Sequence, residues 1–94
     1  MPDLKRLERF VEMLSMIDRG EAVTAKSLAA HFDITERTIY RDIGVLAIDF
    51  PIDFDYEKNS YCFSEGYSLK KIDLSSDELR AMLVSKALFT RLGG

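Results

Sequence analysis

The chain has 94 residues, 47% of them hydrophobic and 31% charged, with a formal net charge of −3 and one cysteine, Cys62. Such a chain holds one domain with a single modest core, and its apolar share excludes a disordered polymer. One cysteine excludes an internal disulfide framework, no cysteine–histidine cluster has zinc spacing, and no run approaches the roughly 18 apolar residues of a bilayer span.

The opening "MPDLKRLERF" lacks the apolar segment of a signal peptide, so the expected compartment is the reducing cytoplasm. In "DLKRLERFVEMLSMIDRG", Leu4, Leu7, Val11, Leu14 and Ile17 fall at steps of three and four. That is the stripe of an amphipathic first helix, with Gly20 as its stop. In "TAKSLAAHF", Thr24 is the expected N-cap of a second helix, and Leu28 and Phe32 are its buried pair. Asp33 and Ile34 make a tight connection, after which Thr35 caps a third helix. So short a link between two helices predicts a helix-turn-helix.

The third helix, within "ITERTIYRDIGVL", carries two opposed sets of side chains. Ile39, Ile43 and Leu46 form an apolar stripe. Arg37 and Arg41, four apart, share one face, and at about 100° per residue that face lies nearly opposite the stripe. Thr38 and Tyr40 flank the arginines. Asp42 sits at the edge of the buried stripe, where pairing with a nearby cation is expected. Gly44, inside the helix, costs about 1 kcal/mol relative to alanine.

In "FPIDFDYEKNSYCF" the period changes to two. Ile52, Phe54 and Tyr56 alternate with Asp53 and Asp55 as a half-buried strand. Glu57 to Ser60 is turn chemistry, and Tyr61-Cys62-Phe63 returns with Tyr61 and Phe63 on one face. This hairpin is a wing. "EGYSLKKID" is a connector. Ser75 and Glu78 then form a capping box, with Leu74 and Leu79 as its hydrophobic staple, opening a last helix that runs to about Leu92. The expected fold is α+β, mainly α: a winged helix-turn-helix over residues 1–67, then a connector and C-terminal helix over 68–94.

Thr24, Leu28-Ala29, Phe32, Ile34-Thr35, Arg37-Thr38-Ile39, Arg41-Asp42-Ile43 and Leu46, followed by a wing ending in Tyr61 and Phe63, form a pattern over roughly residues 4–67. It resembles the N-terminal winged helix-turn-helix of DeoR-like and WYL-domain bacterial transcriptional regulators, and "RTIYRDI" is its most specific part. The capped last helix is similar to the linker helix of WYL regulators. The resemblance implies a regulator that binds double-stranded DNA, usually as a dimer, with a sensor domain after the linker that residues 1–94 do not include. It specifies no effector. The chain departs from the pattern in its acidic wing, where Asp53, Asp55 and Glu57 accompany only Lys58, and in Gly44.

The residues themselves suit DNA. The major groove admits one helix, and a guanidinium can donate two parallel hydrogen bonds to guanine O6 and N7. Arg37 lies in the first turn, where recognition helices make base contacts, and Arg41 serves base or phosphate one turn on. Thr35 stands at a helix N-terminus suited to phosphate. Thr38 suits a thymine methyl or backbone oxygen, Tyr40 a phosphate, and Lys26 and Lys58 the backbone. Plainer readings stand beside these. Both arginines fit a solvated face, Thr35 a structural cap, Tyr40 a packing contact with the wing, and Lys26 a solvated lysine. His31 fits an exposed helix end and Cys62 a small strand residue.

Charge distribution permits the DNA reading. Residues 1–41 carry seven basic and seven acidic side chains, whereas 42–94 carry six and nine, so the excess acid lies mostly outside the reading helix. Screening over about 8 Å lets a local basic face act. Lys26, Arg37, Arg41 and Lys58 are at most four phosphate neutralisers per copy, and two copies would give a salt slope of roughly −7. From Ser76 to Leu92 nine of 17 residues are apolar and spread round the helix, which asks for burial on several sides. Leu79, Met82, Leu83, Leu88, Phe89 and Leu92 are therefore the expected homodimer contacts. Nothing asks for a metal or cofactor, and no catalytic constellation appears. The competing reading is a winged-helix protein–protein interaction module without DNA binding, favoured by the acidic wing and the apolar last helix.

Overall fold

The computed structural model describes residues 4–20, 22–69 and 75–93, with the backbone alone for Leu4, Ser76 and residues 86–93. In chain order the elements are α1 (Leu4–Asp18), α2 (Ala25–Phe32), α3 (Glu36–Leu46), β1 (Ile52–Asp55), β2 (Ser60–Phe63) and α4 (Ser76–Gly93). This is a winged helix-turn-helix with a helix added behind it.

The buried face of α1 is wider than its predicted stripe. Phe10 and Met13 join Leu7, Val11, Leu14 and Ile17 in the core, because α1 packs against both α4 and β2. A helix covered on two sides needs more than one apolar row. A turn beyond Asp18 leads to Gly20, whose φ of 75° is open to glycine without steric cost. Val23, just before α2, is fully buried. Its N–H donates to Ser60 Oγ at 2.8 Å, and its carbonyl accepts from the Tyr61 N–H at 2.7 Å. Val23 thus covers one edge of β2 and ties the wing to the helical body.

Thr24 caps α2 as expected, and Ser27 completes the capping box: Thr24 Oγ1 accepts from the Ser27 N–H at 3.0 Å, and Ser27 Oγ accepts from the Thr24 N–H at 2.9 Å. Leu28 is fully buried and Phe32 half-buried. Asp33 turns the chain with φ 56° and ψ 49°, and the Ile34 N–H returns to the Ala29 carbonyl at 3.0 Å. Aspartate tolerates this left-handed region better than most side chains, so the link to α3 stays short.

The hairpin's turn falls one residue earlier than expected, on residues 56–59. β1 pairs antiparallel with β2, Ile52 opposite Phe63 and Phe54 opposite Tyr61, but Tyr56 belongs to the turn and is 87% exposed. Two interactions explain the shift. Asp55 Oδ1 accepts from the backbone N–H groups of Glu57 and Lys58, at 2.9 and 3.2 Å, which starts the turn at Tyr56. Ser60, expected in the turn, is drawn into β2 by Val23. Asn59 closes the turn with φ 53°.

The connector returns to α1, where the Leu69 N–H donates to Asp18 Oδ1 at 3.1 Å. Ser75 and Glu78 make the predicted capping box; Leu74, the other half of the expected staple, lies outside the described residues. Leu79 and Leu83 are buried in the core of their own chain, where α4 lies against α1. These two residues are therefore unavailable to a second copy, a correction to their expected role. Met82 is half-buried against the same core, and the side chains of Leu88, Phe89 and Leu92 lie outside the description. Arg80 reinforces the packing with two hydrogen bonds to Glu8, at 2.9 and 3.2 Å. That hydrogen bond holds the Glu8 carboxyl below its ordinary range.

Candidate nucleic-acid interface

α3 is anchored from behind by apolar and ionic contacts together. Ile39 and Leu46 are fully buried, Ile43 is half-buried, and Asp42 is 1% exposed. Arg9 Nε on α1 donates to Asp42 Oδ2 at 2.6 Å, and Arg6 Nε lies 3.8 Å from the other carboxylate oxygen. A buried carboxylate is tolerable only when paired and hydrogen-bonded, so the ion pair sets the roll of α3 against α1. The expected cation for Asp42 is thus Arg9, supported by Arg6. Sequence reading missed both arginines, because on α1 alone they look like ordinary surface charge.

With that roll set, helical phase decides what faces out. Arg37, Tyr40, Arg41 and Gly44 are exposed, and steps of three, four and seven place them on one side of the helix. Among the described residues neither Arg37 nor Arg41 has a carboxylate within ion-pairing distance. Their guanidinium groups are open to a partner. Thr35 is the structural N-cap: its Oγ1 accepts from the Thr38 N–H at 3.2 Å and lies 3.0 Å from Thr38 Oγ1. The two hydroxyls occupy each other at the start of α3. Lys26 is exposed in the first turn of α2, and Lys58 is exposed in the wing turn.

The hairpin adds an aromatic surface that the sequence reading did not assemble. The Phe54 ring meets Tyr56 and Tyr61 edge-on, each at 5.1 Å between centroids. Burial raises the Tyr61 hydroxyl pKa, and the nearby phenols of Tyr40 and Tyr56 raise it further. Tyr40 of α3 is itself 58% exposed. The strand alternation was a legible signal for Phe54 and Tyr61; the turn position of Tyr56 was not.

The wing's acids are partly engaged inside the hairpin. Asp55 caps the turn, and Asp53 Oδ2 accepts from Ser64 Oγ at 2.7 Å. His31 sits at the exposed end of α2, edge-on to Phe32 and 3.8 Å from Glu12. Among the described residues no helix is long and apolar enough to cross a membrane.

Three helices with a tight second turn, an antiparallel wing and an exposed basic stripe on the third helix define the class of winged helix-turn-helix DNA-binding regulators. Residues 6–53, just over half of the chain, match the family described as HTH domain, and the protein belongs to that family. The match runs from the first turns of α1 into β1 and so includes the whole of α2 and α3. No curated protein and no solved structure matches the chain.

Proposed function

We propose that the protein is a sequence-specific transcriptional regulator of the DeoR-like or WYL type, inserting α3 into the major groove of double-stranded DNA. Arg37 reads a guanine edge, Arg41 reads the next base or its phosphate, and Lys26 and Lys58 hold the backbone. Thr35 aims the first amides of α3 at a phosphate, while Thr38 meets a thymine methyl. The observation that carries this reading is the two exposed guanidinium groups, without a carboxylate partner among the described residues, on a helix locked from behind by Asp42 and Arg9. Pre-oriented donors lose less entropy on binding. The regulator works in the cytoplasm as a homodimer, because four cations per copy bind weakly at cellular salt.

A second reading, a protein-binding winged helix, draws on the exposed side chains of Ile48 and Tyr56. A mobility shift at two salt concentrations separates the two: salt-dependent binding supports the regulator, and none at low salt supports the protein module. Arg37→Ala tests the reader itself. The variant should melt with the wild type, because Arg37 is exposed and supports nothing in the fold. It should lose roughly 1–3 kcal/mol of discrimination at one base position. Unchanged operator preference would remove Arg37 from the site.

A further inference from the structure

Among the described residues the buried polar side chains are Asp42 and Ser60, and of these Asp42 alone is charged. Ser60 is accounted for by the Val23 N–H that it accepts. Stability does not account for Asp42, because a buried ion pair can often be replaced by apolar side chains of similar volume without loss. What the pair supplies is direction. Ile39, Leu46 and the half-buried Ile43 attach α3 through burial, which has no preferred direction. The Asp42 carboxylate is instead fixed through both oxygens: Oδ2 accepts from Arg9 Nε at 2.6 Å, and Oδ1 lies 3.8 Å from Arg6 Nε. Arg6 is steadied in turn, its guanidinium 5.1 Å from the centre of the core ring of Phe10. The two arginines are three apart and share one face of α1.

We propose that Arg9 and Asp42 are positioning residues for base choice: their ion pair fixes the roll of α3, and with it which base edges Arg37 and Arg41 meet. This rests on the DNA-binding reading above. A helix is about 10–12 Å across with its side chains, so a roll of about 15° carries an outward side chain roughly 1.5 Å sideways. Binding groups have to be held within about 0.5 Å and 10–20°, so such a roll is enough to spoil a bidentate contact. Arg37 and Arg41 ride on the same rigid helix and would lose their base edges together, while phosphate contacts by flexible lysines would survive.

Removing one partner strands the other, so the informative variant replaces both. Arg9→Met combined with Asp42→Leu puts an apolar pair in the same space, and thermal unfolding should stay at or above the wild-type temperature. The whole chain is then titrated with a labelled duplex enriched by the wild-type protein from a random pool, and with copies of that duplex altered one base pair at a time. The double variant should bind with the wild-type dependence on salt, since Lys26, Arg37, Arg41 and Lys58 remain. Its preference for the enriched duplex over the altered ones should fall roughly tenfold. Wild-type preference in the folded double variant overturns the proposal. A uniform loss of affinity with the preference kept overturns it too, because the pair would then be structural only. Should the double variant not fold, Arg9→Lys decides: it keeps the charge without the planar fork, and wild-type preference there is equally fatal. If Arg37→Ala loses base preference while the paired variants keep it, the reader stands and the positioning role falls. If the wild type binds no duplex at low salt, the DNA reading itself falls.

Discussion

Gly44 is the least expected residue on α3, since a helix interior normally avoids glycine. It lies two turns beyond Arg37, on the same exposed side, and a Cβ built there meets nothing within 4 Å. Its backbone needs no left-handed conformation, so nothing among the described residues requires glycine there. Gly44→Ala should therefore stabilise the fold by about 1 kcal/mol, which raises the melting temperature by roughly 4–8 °C for a domain of this size. Calorimetry checks it, and a lowered melting temperature would mean that α3 packs more tightly than its exposure indicates. At this scale Arg37, Arg41 and the caps Thr24, Thr35 and Ser75 were legible in advance. Each depends on helical phase or on a partner a few residues away. Tyr56 was not, because its place turned on two backbone hydrogen bonds to the Asp55 carboxylate that start the turn early.

Among the elements, α1 organises the others. Its neighbouring residues Glu8 and Arg9 reach in different directions, Glu8 to Arg80 on α4 and Arg9 to Asp42 on α3. The two contacts differ in weight. The Glu8–Arg80 pair is largely solvent-exposed, and such pairs contribute little, whereas the Asp42 carboxylate is sealed from water. Asp42→Ala leaves Arg9 without its partner at a part-buried site and should destabilise the protein by about 3 kcal/mol. Asp42→Asn, which keeps an oxygen acceptor for Arg9, should cost clearly less. Denaturant unfolding of both variants checks this, and equal, small losses would show that apolar packing alone sets the roll of α3. The sequence indicated that Asp42 needed a cation and stopped there, since the partner is 33 residues away on a helix whose charges look like surface.

At the scale of the whole molecule the question is how many copies bind. One chain presents few cations, while α4 is apolar well beyond what Leu79 and Leu83 use against α1. The proposed dimer contact therefore shifts along α4 to Leu88, Phe89 and Leu92, with Met82 at its edge. Sedimentation at tens of micromolar should show a dimer, and replacing Leu88 and Phe89 by polar residues should yield a folded monomer with weakened DNA binding. A wild-type monomer at that concentration would remove the dimer from the proposal. It would leave the α3 surface untouched.

Periods of 3.6 and two, capping side chains and turn formers act over a few residues, so reading along the chain was enough for the order of helices and hairpin and for the outward arginines. Which apolar residues of α4 meet their own core, which arginines seal Asp42, and how Val23 ties the wing to the helical body all involve residues far apart in the chain. Those pairings emerge only when the elements pack, because burial and ion pairing depend on what is brought near, and no local pattern encodes a distant neighbour.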